Sequence, residues 1–180
     1  MNKKEGQNTT FKEEIKKGFV SIIIAVILVI ILKVFVIEIF NIDGFSMCPT
    51  LENGDKLIVN KIAYKIKDPE RGEIIIFQLP EDNEAFYIKR VIGLPGDKIE
   101  IKNDVVFVNN KPLKEEYIMD FTKGYHQSIE VPKDKYYVLG DNRSSSQDSR
   151  INNIGCIPIE NIRGKAVVVF WPLEKIKALP

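Results

Sequence analysis

Gly18–Phe40 is a run of 23 residues that holds only two charges, Lys33 and Glu38. As a helix rising about 1.5 Å per residue, it matches the ~30 Å hydrocarbon core of a bilayer. A core helix of a water-soluble fold rarely runs so long or so rich in Val and Ile, so the stretch reads as a transmembrane anchor. A charge inside the span is costly unless its stem carries it to an interface. Lys33 is therefore expected near the outer interface, with Lys16 and Lys17 snorkelling at the inner one. Lys33–Phe40 is bulky throughout and offers no small-x-small cleavage site, so the anchor is expected to stay on the chain. Orientation follows from lysine bias. Lys3, Lys4, Lys12, Lys16 and Lys17 precede the run, and after Lys33 no Lys or Arg appears until Lys56. The N-terminus is thus expected inside. The organisation that follows is 1–17 cytoplasmic, 18–40 anchor and 41–180 extracytoplasmic, at a single-pass cell-membrane location.

A chain of 180 residues with 44% hydrophobic content can bury one core of ordinary size. Its net charge of +1 gives no global field for nucleic acid, and none is expected as a partner. One histidine, His126, and no Cys/His cluster argue against a catalytic metal, and no cofactor is expected. Cys48 and Cys156 form no CxxC pair, and both a single bridge and two free thiols are compatible with the sequence.

The part beyond the anchor reads as mainly β. Lys56–Asn60, Glu73–Phe77 and Ala85–Ile92 are short β-branched or aromatic runs between turn residues. Ile99–Ile101 and Val105–Val108 flank Asn103-Asp104, a hairpin turn signal, and Asn109-Asn110 is another. Leu94-Pro95-Gly96-Asp97 suits a type II turn. Tyr136–Leu139 and Ala166–Trp171 complete the set, and the latter, without polar alternation, predicts a strand buried on both faces. No long helical period follows the anchor.

Three elements could carry chemistry. Ser46 stands just past the anchor, with Gly44 two residues before it and Pro49 three after it. Gly44 allows unusual backbone angles and close approach of a substrate, and nearby backbone N–H groups could serve an oxyanion. Lys89 lies in the run Ala85–Ile92, where residues two apart share a face. It shares one with Tyr87 and Val91, while Arg90 points the other way, toward solvent or a carboxylate. An edge-strand lysine that snorkels to water has the same sequence. A lysine acting as general base must instead be neutral, and burial favours that form. Moving its pKa from about 10.4 to about 8 costs roughly 3 kcal/mol. The third element, Gly140–Arg150, packs acids, arginines and serines densely, as a hydrogen-bonded support would.

In this order behind an apolar anchor, the elements resemble bacterial type I signal peptidases, the Ser-Lys proteases that remove signal peptides. Gly44-Phe45-Ser46-Met47-Cys48-Pro49-Thr50-Leu51 is similar to the family's nucleophile box, and Gly54-Asp55…Ile58-Val59 to its next. Tyr87–Asp97 matches the lysine box almost letter for letter, and Gly140-Asp141-Asn142-Arg143…Ser146…Asp148-Ser149-Arg150 the last. The resemblance spans about 18–171 and implies a signal-peptidase-like antiparallel β-sheet catalytic domain behind one N-terminal transmembrane helix. It implies Ser46 as nucleophile, with its backbone N–H toward the oxyanion, and Lys89 as general base. Ser146 would orient the lysine amine, Asp148 with Arg150 would form a bracing ion pair, and Asp141 would join that support. Gly44 stands where some members carry a serine, as in the smaller Gram-positive single-anchor type. Residues 102–135 would be a reduced non-catalytic β region. Ile151-Asn152-Asn153 departs from the family, where an aromatic and a tighter approach to Gly155 are usual. The implied partners are signal-peptide-bearing preproteins with Ala-x-Ala-like sites and the lipid bilayer, with the enzyme a monomer.

Rival readings are a self-cleaving repressor-type Ser-Lys protease, a membrane-tethered β module without activity, and a Ser-His hydrolase using His126. Phe45, Met47 and Trp171 are candidates for dipping into the bilayer.

Overall fold

A computed structural model describes residues 3–80, 82–124 and 126–180. It divides into two units, Met1–Ile37 and Glu38–Pro180. The first is a helix, α1 (Lys3–Ile31), ending in a wide π turn, Leu32–Val36. Over Lys16–Val36, 21 residues, it is long and apolar enough to cross a membrane, and the side chains of residues 16–30 are exposed. The helical run stops at Val36, short of the expected Phe40. From Ile37 the chain turns extended as strand β1 (Ile37–Asn41), which pairs with the strand that follows. Ladder partners and β-branched Ile37 and Ile39 outweigh helix propensity there.

The second unit holds two antiparallel sheets. Its further elements are β2 (Lys56–Asn60), a one-turn helix α2 (Ala63–Ile66), β3 (Ile74–Leu79), β4 (Asp82–Gly93), β5 (Lys98–Lys102), β6 (Val105–Val108), β7 (Lys111–Pro112) and β8 (His126–Glu130). β9 (Lys135–Leu139), β10 (Ile157–Pro158), β11 (Ile162–Trp171) and β12 (Lys177–Ala178) complete it. The larger sheet has the order β1-β2-β11-β3-β4-β9-β10, with β12 also on β11, and the smaller β7-β6-β5-β8. The small sheet takes in β5 and so begins at Lys98, earlier than the expected 102.

Turn chemistry follows the sequence closely. Lys102 faces Val105 across Asn103-Asp104, and Val108 faces Lys111 across Asn109-Asn110. All four turn residues have positive φ, 49° to 64°, the left-handed region that Asn and Asp tolerate and a two-residue hairpin demands. Asp97 N–H donates to Leu94 O at 2.9 Å, closing the turn after β4. Tyr125 lies outside the described residues. His126 beyond it is on strand β8, opposite Ile101.

One expectation about burial is corrected. β11 is central, between β2 and β3, but buried on one side only: Gly164, Ala166 and Val169 are covered, while Val167, Val168 and Phe170 are half-exposed. Register shifts between Ala166 and Val168 and between Val169 and Trp171 break the alternation that separates faces. The core of the large sheet joins Leu57, Ile74, Ile76 and Val169 to Met47 and Leu51 from the loop after β1. That packing seats the Ser46 loop on the sheet. Met47, at 1% exposure, is a core residue and not a bilayer contact.

Candidate active site

Ser46 lies in the loop between β1 and β2, half-buried. Two neighbours fix the loop: Met47 and Leu51 sink into the core, and Leu51 N–H donates to Met47 O at 2.9 Å. Gly44 has φ of +119°, where an L side chain would be strained, and its N–H donates to Asn53 Oδ1 at 2.9 Å. The Ser46 carbonyl accepts Asn142 N–H at 3.0 Å, tying the loop to the chain after β9. A Cβ at Gly140 would collide with that carbonyl oxygen and with Ser146 Oγ, so only glycine permits the approach.

Lys89 stands on β4 opposite Ile75 of β3 and is 4% exposed. Its Nζ lies 2.8 Å from Ser46 Oγ and 2.9 Å from Ile88 O. Burial pushes the amine down to about 8, against the opposing pull of Asp148 and Asp141. The next residue is buried as deeply. Arg90, also 4% exposed, lies opposite Ile74 and Leu139 and has found the carboxylate alternative. Its Nε and one terminal nitrogen donate to the two Asp141 oxygens at 2.8 and 2.6 Å, and the other terminal nitrogen to Gly72 O at 2.7 Å. Thr50 Oγ1, four residues past Ser46, donates to Asp141 Oδ2 at 2.5 Å.

The Gly140–Arg150 loop is an ordered hydrogen-bond network. Asp148 accepts Gly140 N–H at 3.0 Å and two Arg150 nitrogens at 2.7 and 2.9 Å. Arg150 also donates to Arg143 O at 2.8 Å. Ser146 Oγ is buried without a hydrogen-bond partner, so the structure does not join it to the lysine amine. The Ile151–Asn153 segment is a closed turn, with Ile154 and Gly155 N–H both donating to Ile151 O and the Ile151 side chain 41% exposed.

Sequence reasoning left out Arg90 as the partner of Asp141, and Glu115 and Tyr117, which contact Arg90 and Arg143. Glu115 and Arg143 are 28 residues apart, and no local pattern marks such a pair. The nearest signal is the pair of arginines, Arg143 and Arg150, inside one short loop that cannot both be solvated if the loop packs. Cys48 and Cys156 are free. Among the described residues no His/Cys/Asp/Glu group could hold a metal. His126 belongs to the small sheet, whereas Lys89 is on the large one.

The family model described as "Signal peptidase, peptidase S26" matches residues 15–171. The chain belongs to that family. It is a serine peptidase of the signal peptidase I kind, and mainly antiparallel β with one N-terminal apolar helix. Signal peptidase I P of Bacillus subtilis subsp. natto is 42% identical over 92% of this chain and 97% of its own length. The probable signal peptidase I-2 of Synechocystis is 43% identical over 88% of this chain and 74% of its own. Signal peptidase IB of Staphylococcus aureus is 38% identical over 92% and 94%. A solved signal peptidase I from Enterococcus faecalis V583 is 32% identical and aligns with 55% of this chain and 97% of that one, at a TM-score of 0.47.

Proposed function

We propose that this protein is a membrane-anchored signal peptidase that cuts signal peptides from exported preproteins after small-x-small motifs, with Ser46 as nucleophile and Lys89 as general base. One observation carries the reading: a buried amine, held near pKa 8, 2.8 Å from a serine hydroxyl. Neutral Lys89 takes the Ser46 proton as Oγ attacks the scissile carbonyl. The Ser46 backbone N–H serves the developing oxyanion. Lys89, now charged, protonates the leaving amine, and the free base then deprotonates the water that releases the acyl group. Ser146 Oγ, a buried hydroxyl with no other partner, is suited to hold the amine when it is charged. The Asp148–Arg150 pair braces the loop that carries it. Anchoring confines enzyme and preprotein to one surface and raises their effective concentration. The lysine bias supports an inside N-terminus and an extracytoplasmic catalytic unit.

The full chain, incubated with a preprotein bearing an Ala-x-Ala site, is expected to release mature protein with its N-terminus at that site. Ser46→Ala should abolish release and His126→Ala should not. Processing by Ser46→Ala at the wild-type rate would sink the assignment.

The bilayer is a proposed partner of the catalytic unit itself. Phe45 is 63% and Trp171 47% exposed, and Trp171 is the single tryptophan. In vesicles, brominated acyl chains are expected to quench its fluorescence by about half. Equal emission in brominated and ordinary lipid would remove Trp171 from the membrane surface.

A further inference from the structure

Between β7 and β8 the chain presents Glu115 and Tyr117 to two arginines that flank the reacting pair. The Glu115 carboxylate accepts both terminal nitrogens of Arg143, at 3.0 and 2.5 Å. Arg143 is 3% exposed, its Nε donates to Gly140 O at 2.9 Å, and Thr122 Oγ1 accepts from it as well. Burial works against its charge, but Glu115, with Tyr117 and Asp141, outweighs that and holds the guanidinium above its ordinary value. Tyr117 OH donates to Glu115 Oε1 at 2.8 Å, and the Tyr117 ring lies under the Arg90 guanidinium, 4.0 Å from its carbon.

Both arginines lead to the dyad by short paths. Arg143 holds the Gly140 carbonyl, and Gly140 and Asn142 pack against the Ser46 carbonyl. Arg90 adjoins Lys89 in the chain and clamps Asp141, which itself accepts Thr50 from the Ser46 loop. We propose that Glu115 and Tyr117 form a clamp, supplied by the region that carries the small sheet, that positions Ser46 relative to Lys89. They touch neither reacting atom, so they are positioning residues. A buried Glu–Arg pair adds little stability over an apolar pair of similar size. What it adds is direction: a bidentate fork fixes the guanidinium plane and with it the Gly140 carbonyl. An ångström of drift at Ser46 would be worth about a hundredfold in rate. The connection between β7 and β8 thereby reaches the large sheet and the Ser46 loop through its side chains.

The inference rests on the Ser46/Lys89 reading, and the test separates the two. The full chain in detergent micelles is assayed against an Ala-x-Ala preprotein, with rates taken per folded enzyme from circular dichroism. Glu115→Gln is expected to lower kcat about 10- to 100-fold with KM within about twofold. The double variant Glu115→Met with Arg143→Leu replaces the pair by apolar groups. It should recover the melting temperature and leave kcat low, an outcome that a merely structural role does not give. Tyr117→Leu, which leaves the Glu115–Arg143 pair in place, should also lower kcat. Wild-type kcat in the refolded double variant, or in Tyr117→Leu where the double variant does not fold, overturns the clamp. Cleavage by Lys89→Ala at the wild-type rate would instead remove the reading beneath it.

Discussion

Lys89→Met is expected to lower preprotein cleavage by roughly 10³-fold, inside the ~10²–10⁴ that a general base supplies, while raising the melting temperature. The two effects have one cause. Burial holds the amine near pKa 8 in the fold, against an ordinary lysine value of 10.5. Each pKa unit is about 1.4 kcal/mol, so the charged amine costs the fold roughly 3 kcal/mol. Below about pH 8 the lysine is charged both folded and unfolded, and the full cost is present. Between about 8 and 10.5 only the unfolded chain holds the proton, so this group makes stability rise with pH until the cost is gone. Methionine has a similar length and no charge. At pH 7 the variant should melt ~6–12 °C higher, at ~2–4 °C per kcal/mol for a domain this size. The same pKa predicts the wild-type rate profile: kcat/KM should rise about tenfold per pH unit up to ~8 and then level. A Lys89→Met protein that cleaves within tenfold of wild type, or that melts lower at pH 7, would refute the account.

The strand that carries Lys89 was legible in the sequence. Tyr87, Lys89 and Val91 alternate on β4, and alternation is a local property that a strand keeps. The Asn103-Asp104 and Asn109-Asn110 turns were legible for the same reason, since left-handed backbone selects residue type directly. The N-terminal apolar helix was readable from its length and composition, but its end was not. Whether Ile37–Phe40 continues a helix or opens into β1 depends on β2 nearly twenty residues later, a partner that no local pattern names. β7, β10 and β12 are two residues each and likewise exist only through their partners. Burial on β11 was misread because its bulges come from pairing geometry, not composition. Glu115 and Tyr117 look like ordinary surface residues in a polar stretch. Only the fold brings them to Arg143 and Arg90.

Asp141→Ala is expected to give the largest loss of stability of any single change in the site. Asp141 is fully buried and accepts two bonds from Arg90 and one from Thr50. Its removal leaves a guanidinium at 4% exposure with Gly72 O, Thr50 and the Tyr117 face but no counter-charge. Breaking such a pair costs about 3–5 kcal/mol, whereas replacing both partners by apolar groups is close to neutral. The melting temperature should therefore drop by roughly 10 °C in Asp141→Ala and return in Arg90→Met with Asp141→Leu. The two variants part from each other in stability but share an effect on Lys89. Asp148 and Asp141 both draw the lysine pKa upward against burial, Asp148 more strongly. Without Asp141 that pull is weaker, so the acid limb of the rate profile should move below pH 8 in whichever variant is folded enough to assay. An unmoved limb would mean that Asp141 does not act on Lys89 through its charge. A melting temperature unchanged in Asp141→Ala would mean that the Arg90 charge reaches water, contrary to its burial between β3, β9 and Tyr117.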